Sequence, residues 1–215
     1  MPRRIKRPQQ ELRPHFYIYC EGSKTEPFYL NQYIQKRFPG TRLIEIVPTK
    51  KSTARELVRE ACKAIKRPKK ESPKGDVFWV VYDRECPAKY ADSLHVTARQ
   101  IARGKVNIAL SNVCFEVWLL LHFQPTCKAH DSYDDLRAHS RLTEHIPGYD
   151  KASRREYTDE EIARARQHAE RMNASTKSGA DREWTQPHQW NPYTDVHKLL
   201  DAMDEFGRKH IERKP

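Results

Sequence analysis

The amino-acid sequence predicts an α/β fold, with an open parallel sheet of about four strands flanked by helices and a helical C-terminal extension. Segments rich in aromatic and β-branched residues alternate with helical segments between residues 15 and 123. Such alternation is typical of a parallel sheet with right-handed crossovers. Residues 77–82 (VFWVVY) are apolar throughout, which is expected for a strand buried on both faces.

This interpretation divides the chain into three regions. Residues 1–14 are rich in Lys, Arg and Pro and predict a flexible basic arm. Residues 15–125 form the predicted α/β core. Residues 126–215 contain helical patterns and no further convincing strand, and we expect them to pack on the core as a helical region.

The first predicted unit is a strand, a tight turn and a helix. Residues 15–20 (HFYIYC) have the composition of a strand. Glu21 and a glycine then turn the chain. Ser23 and Glu26 have the spacing of a capping box, which predicts a helix that starts at Ser23.

The second unit repeats this order. Residues 42–47 (RLIEIV) predict a strand. Thr53 and Glu56 form a second capping-box pair, followed by apolar residues at helical spacing. Residues 67–75, rich in Lys and Pro, predict a polar loop before the buried third strand.

The rest of the predicted core contains a helix over residues 91–103, a fourth strand over 106–110 and a mostly buried helix over 115–123. Further helices are predicted over Tyr133–His139, 158–173 and 195–210.

Composition restricts the classes of function. The chain has 40 Lys and Arg against 29 Asp and Glu, a net charge of +11, which favours polyanionic partners such as nucleic acid. No apolar run is long enough to span a membrane, and no apolar segment follows the basic N-terminus as in a secretory signal. The five cysteines include no CxxC pair, so a zinc site is not expected. An odd number of cysteines without such pairs fits a protein of the reducing cytoplasm.

Acidic residues follow the predicted strands at their carboxyl ends, where open parallel sheets bind ligands. Glu21 follows the first strand, Asp83 follows the third with Glu85 two residues later, and Glu116 comes shortly after the fourth. Clustered carboxylates suit a hard cation such as Mg²⁺ or Mn²⁺, which can activate water at a phosphodiester. Acidic residues after buried strands are also often no more than polar loop positions, so this alternative stays open.

Other catalytic motifs are missing from the sequence. It has no GxxxxGK[ST] phosphate loop, no GxSxG nucleophile turn and no HExxH zinc pair. ATP binding through a P-loop, serine hydrolase chemistry and zinc-protease chemistry are therefore not predicted.

Several stretches, in their order and spacing, resemble the RloB family, and together they extend over nearly the whole chain. They are FYIYCEGSKTEPFYL (16–30), VFWVVYDRE (77–85), NIALSNVCFEVWLLLHF (107–123) and NPYTDVHKLL (191–200).

The resemblance implies a Toprim-like domain, in which a Glu follows the first strand and an Asp-x-Asp follows a later one. Glu21 and Asp83 match that pattern, whereas Glu85 stands where Asp is usual and Val113 where the family tends to have Pro. Glu116 lies in the family's most recognisable motif. The resemblance also implies a bacterial phage-defence role in abortive infection or restriction-linked systems, beside an ATPase partner.

The leading hypothesis is a Mg²⁺-dependent nuclease that acts on DNA or RNA. Glu21 would be a general base or metal ligand, while Asp83 and Glu85 would hold the metal. Further residues are expected at the site, with Ser111, Asn112 and Glu116 at its border and Lys24 and Arg84 as phosphate contacts.

Two other hypotheses stay open. The protein could be a non-catalytic subunit that binds nucleic acid or docks on the ATPase, with the C-terminal helices and exposed Trp184 and Trp190 as its contact surface. It could also transfer phosphoryl or nucleotidyl groups on a small nucleotide.

Overall fold

The computed structural model describes residues 13–66 and 75–212. The predicted basic arm and the predicted polar loop at residues 67–75 therefore lie almost wholly outside the described residues.

The sheet has five strands in the order β2-β1-β3-β4-β5. Strands β1 to β4 are parallel, as predicted. Their bounds are β1 Phe16–Cys20, β2 Ile44–Ile46, β3 Val77–Asp83 and β4 Asn107–Asn112. A short fifth strand, β5 (Tyr193–Thr194), pairs antiparallel with the end of β4. The expectation of no strand after residue 125 was wrong, because two residues are too few to show a strand period.

Eight α-helices and one 3₁₀ helix occur in the described part of the chain. They are α1 Thr25–Arg37, α2 Ala54–Lys66, α3 Asp92–Ala102, α4 Glu116–Leu120, α5 Tyr133–His139, α6 Leu142–His145, α7 Asp159–Gly179, α8 Val196–His210 and the 3₁₀ helix Pro187–Gln189. None of the helices in this part of the chain combines the length and apolar character needed to cross a membrane.

Helices cover both faces of the sheet, because alternate residues of each strand point to opposite sides. Helices α2 and α3 pack over one face, where Phe78, Val80 and Tyr82 of β3 are buried. The other face buries Trp79 and Val81 of the same strand against α1, α4, α7 and α8. The C-terminal helices thus complete the second layer over the sheet.

A capping box forms at the start of α7 but not at the start of α1. At the start of α7, Glu161 N donates to Thr158 Oγ1 (3.2 Å) and Thr158 N donates to Glu161 Oε2 (3.0 Å). At the start of α1 the prediction was wrong, since the helix begins at Thr25 and no side chain caps it. The Glu26 carboxylate instead accepts a hydrogen bond from Gly22 N (3.1 Å) and lies in the site described below.

Gly207 of α8 allows this helix to approach α1, and it provides a test of the packing. A Cβ atom at Gly207 would overlap the ring of Phe38, which is buried directly after α1. We expect Gly207→Ala to lower the free energy of unfolding by about 1–3 kcal/mol, since overpacking outweighs the gain in helix propensity. Urea denaturation measures this change.

Gly179→Ala is the matched control, because Gly179 ends α7 and no atom lies within 4 Å of a Cβ built there. We expect this variant to be neutral or slightly more stable. Equal stabilities of the two variants would contradict the proposed close packing of α8 on α1.

Candidate functional site

An acidic cavity of about 300 Å³ lies at the carboxyl ends of β1 and β3. Five of the predicted site residues line it: Glu21, Lys24, Asp83, Glu85 and Glu116. The structure therefore brings together acids from three separate parts of the chain. Their catalytic and metal-binding roles stay predictions.

The two central acids are held side by side by the register of their strands. Cys20 of β1 pairs with Val81 of β3, so both strands end at the same edge of the sheet. The backbone N–H of Asp83 donates to Oε2 of Glu21 (3.1 Å), which links the two strand ends directly. Glu21 and Asp83 both line the cavity.

Burial raises the pKa of Glu21 from 4.5 to about 7. The hydrogen bond from Asp83 N opposes this shift, and the negative charges of Glu85 and Glu26 add to it. A carboxyl group with this pKa can exchange a proton near neutral pH, which is the property required of a general acid or base.

Asp83 has a buried carboxylate oxygen at the cavity. Its Oδ1 atom is buried and has no hydrogen-bond partner among the described residues. Burial raises the pKa of Asp83 well above its ordinary value, and the carboxylates of Glu26 and Glu116 raise it further. A carboxylate oxygen in this position lacks the partner that buried polar groups normally have.

Glu26 is an acid of the cavity that sequence reasoning missed. It is buried, and burial raises its pKa. Its carboxylate fills the space beside Gly22, where a Cβ atom would overlap it. The only sequence signal at Glu26 was its capping-box spacing, which predicted a different role.

A loop from the C-terminal half closes the cavity on one side. Tyr149 donates its hydroxyl proton to Oε1 of the buried Glu116 (2.8 Å), and Thr25 Oγ1 donates to the carbonyl of Lys151 (3.1 Å). Burial of Lys151 would lower its pKa, but the carboxylates of Glu116 and Asp83 outweigh burial and raise it. Neither residue of this loop carried a sequence signal for the site.

Glu85 has a constrained backbone at the rim of the cavity. Its φ of 56° lies in the left-handed region, which is uncommon for a residue other than glycine. Its N–H donates to the carbonyl of Val113 (2.9 Å), and Lys89 Nζ lies 2.7 Å from its Oε1. Lys24, Lys89 and Lys151 together provide cations around the acids.

Arg84, Ser111 and Asn112 do not line this cavity, although they were expected at the site. Arg84 is buried, and its guanidinium donates to the carbonyls of His188 and Tyr90 (both 3.0 Å) and ion-pairs with Asp92 (2.6 Å). Its hydrogen bonds are thus committed to the protein, so we leave it out of the proposed phosphate contacts.

Ser111 and Asn112 hold the C-terminal segment against the sheet. Ser111 Oγ lies 3.0 Å from Thr194 Oγ1 of β5. Asn112 Nδ2 donates to the carbonyls of His188 (3.2 Å) and Trp190 (2.7 Å). Their position at the end of β4 is as expected, but their polar groups are used to attach β5.

The donor chemistry of the cavity fits a magnesium ion, although its side chains do not form a complete ligand cage. Among residues 13–66 and 75–212, no three Asp, Glu, His or Cys side chains are arranged to hold a metal ion. Mg²⁺ commonly uses only one or two carboxylates and takes its other oxygens from water and substrate phosphates. The buried, unpartnered Asp83 Oδ1 is an oxygen of the required kind.

The fold and the site define the class as an α/β protein with an acidic cavity at the carboxyl end of a mostly parallel sheet. The chain belongs to the RloB-like protein family, whose model matches residues 16–203. The resemblance predicted from the sequence is thereby confirmed. No curated protein and no solved structure matches the chain.

The raised pKa of Glu21 predicts a pH-dependent stability in the absence of divalent cations. The folded protein keeps this proton up to a pH of about 7, whereas the ordinary pKa is 4.5. Glu21 therefore lowers the free energy of unfolding progressively as pH rises from 4.5 to about 7. We expect the free energy of unfolding of the Glu21→Gln protein to rise by about 3 kcal/mol relative to that of the unsubstituted protein over this pH range.

Chemical denaturation with EDTA at pH 4.5, 6 and 8 measures this difference. Gln167→Ala, on the exposed side of α7, is the control, because glutamine has no titratable group, and it should leave the pH dependence of stability unchanged. If the stability difference for Glu21→Gln were constant with pH, the raised pKa would be wrong.

Proposed function

We propose that this protein is a Mg²⁺-dependent nuclease that hydrolyses phosphodiester bonds of DNA or RNA. The observation that carries the proposal is the meeting of Glu21 and Asp83 at one edge of the sheet, with Asp83 Oδ1 buried and unpartnered. The net charge of +11 supports a polyanionic substrate.

Asp83, together with Glu85 or Glu21, would hold Mg²⁺ or Mn²⁺, and Glu116 would complete the acidic wall. When bound, such a cation polarises the phosphoryl oxygen and lowers the pKa of water. Glu85 is paired with Lys89 (2.7 Å) at the rim, so it would have to exchange this partner to act as a ligand.

Glu21 suits the role of general base. Its Oε2 accepts the N–H of Asp83, which orients the carboxylate, and the carboxylate would take a proton from the attacking water. A pKa of about 7 lets this oxygen accept the proton near neutral pH.

The three lysines of the cavity would bind the phosphates on either side of the bond that is cut. Lys24, Lys89 and Lys151 are all exposed, and the carboxylates of Glu116 and Asp83 raise the pKa of Lys151. Cations of this kind position the backbone of a nucleic acid without reading its sequence.

The biological setting follows from the family. An RloB-like protein with acids after β1 and β3 of a parallel sheet agrees with a Toprim-like domain, and we propose this relationship. We likewise propose a bacterial phage-defence role with an ATPase partner. The five cysteines are all free thiols, which supports a location in the reducing cytoplasm.

The second candidate is a non-catalytic subunit that binds nucleic acid or docks on the ATPase. One observation favours it: the acids do not form a complete metal cage among the described residues. Its expected contact surface is reduced by the structure, because Trp190 is buried and only Trp184 is exposed.

Removal of one metal-binding carboxylate should abolish cleavage. We expect Asp83→Asn to lower the rate of Mg²⁺-dependent cleavage of a DNA or RNA panel by about a hundredfold or more, since the nearly isosteric amide has lost a charge. Glu170→Gln, at an exposed position of α7 that does not line the acidic cavity, should cleave normally.

The assay includes the ATPase partner and a set of mononucleotides. Equal cleavage by Asp83→Asn and the unsubstituted protein would reject this site. Turnover of mononucleotides without cleavage of polymers would instead indicate phosphoryl or nucleotidyl transfer.

Metal binding itself can be measured without any substrate. We expect Mg²⁺ at about a hundred times its dissociation constant to raise the melting temperature by about 5–10 °C, because binding to the folded state adds about 2.7 kcal/mol. The Asp83→Asn protein should show little of this shift. No shift in the unsubstituted protein, with a normal fold, would favour the non-catalytic subunit.

A further inference from the structure

A second cavity, of about 440 Å³, lies next to the acidic one. Glu85 lines both cavities. The second cavity is otherwise built from the end of β4, the loop around His130 and the segment that contains Trp184 and His188. The two cavities therefore meet at Glu85.

Trp184 forms an exposed aromatic surface on this cavity. Its exposed fraction is 47%, and it is the one exposed aromatic among the large exposed hydrophobic residues of the described chain. Its backbone is held in place, since its N–H donates to Asp181 O (2.9 Å) and its carbonyl accepts from Trp190 Nε1 (2.9 Å). Because Trp184 is about half exposed and lines the cavity, part of its indole is accessible to a ligand.

Two histidines of the cavity have buried nitrogens without partners. They are Nε2 of His130 and Nδ1 of His188, and each residue is only 3% exposed. His130 Nδ1 lies 2.9 Å from an oxygen of Asp135. With Nδ1 directed at that carboxylate, Nε2 is the ring nitrogen left for a ligand.

His188 is fixed in the cavity wall by its ring and its backbone. Its ring stacks on His95 (centroids 5.4 Å apart), and its carbonyl accepts from Arg84 Nε (3.0 Å). Burial lowers the pKa of His188, which favours the neutral ring. A neutral imidazole can donate or accept one hydrogen bond at its free nitrogen, depending on the tautomer.

The charges of this cavity disfavour an anion inside it. Its only arginine, Arg84, is committed to Asp92 and to backbone carbonyls. The carboxylates of Asp92 and Asp131 also line the cavity. A neutral, planar ligand with N–H groups therefore fits better than a phosphate.

From these observations we infer that the second cavity binds one unpaired nucleobase, stacked on Trp184 and hydrogen-bonded by His130 and His188, while the phosphates of the same strand cross the acidic cavity. The inference deepens the proposed function, because it names single-stranded or locally unpaired nucleic acid as the substrate. The inference rests on the proposed function in one respect, which is that the ligand is a nucleic acid.

Binding without cleavage tests the base site. Labelled single-stranded DNA and RNA hexamers are titrated with the full chain in EDTA, and fluorescence anisotropy reports the dissociation constant. We expect Trp184→Ala to weaken binding about tenfold, in the range for loss of one base stack. Trp184→Phe should bind nearly as well as the unsubstituted protein.

Val96→Ala is the matched control, because Val96 is also an exposed apolar residue (40%) but does not line either cavity. Its affinity should be unchanged. Equal affinities of the Trp184→Ala and Val96→Ala proteins, both folded by circular dichroism, would overturn the base site.

A base-free strand separates stacking from phosphate contacts. We expect the unsubstituted protein to bind an abasic hexamer about tenfold more weakly than a normal one, and Trp184→Ala to bind both alike. Equal binding of the two strands by the unsubstituted protein would overturn the inference.

Mononucleotides distinguish a strand from a free nucleotide as the source of the base. Weak competition by nucleoside monophosphates supports a strand. Tight binding of a nucleoside monophosphate that depends on Trp184, without binding of hexamers, would overturn the inference that the ligand is a strand. Because these titrations contain EDTA, they can succeed even if the protein proves not to cleave nucleic acid.

Discussion

The site depends on one constraint, which is that two neighbouring parallel strands end at the same edge of the sheet. The register of β1 against β3 places Glu21 beside Asp83, and the Asp83 N–H is shared with the Glu21 carboxylate at 3.1 Å. No adjustment of loops is needed to bring these two acids together. As a consequence, negative charges are concentrated in a partly desolvated cavity, and this raises the pKa of Glu21 and of Asp83.

Hydrogen bonds and a lysine offset the repulsion among the carboxylates of the cavity. Gly22 N–H donates to Glu26, and the hydroxyl of Tyr149 donates to Glu116. Lys151 brings a positive charge from the same loop as Tyr149. The Asp83 Oδ1 atom is buried and has no hydrogen-bond partner among the described residues, and a cation would supply one. The C-terminal half of the chain therefore takes part in the site as well as in the core.

Arg84 connects the acidic cavity with its neighbour. It follows Asp83 directly, and its N–H donates to the carbonyl of Ser111 at the end of β4 (2.7 Å). Its guanidinium joins the 3₁₀ helix to the start of α3 through His188 and Asp92. The buried Arg84 side chain thus joins the segments next to the two cavities. Because its guanidinium is bonded to these segments, it is not available to bind a phosphate at the acids.

The sequence by itself determined the parallel α/β core, the family and the acids at the strand ends, because strand periods and residue order are local properties. Only the tertiary structure decided the roles of Glu26, Lys151 and Arg84. Glu26 has the spacing of a capping residue but faces the cavity, and Arg84 beside the acids is buried against a segment about a hundred residues away. Strand β5 was also not predicted from the sequence, because its two residues form a strand only by pairing with β4. Which charges are buried, and which partners they find, depends on contacts between distant segments that no local pattern encodes.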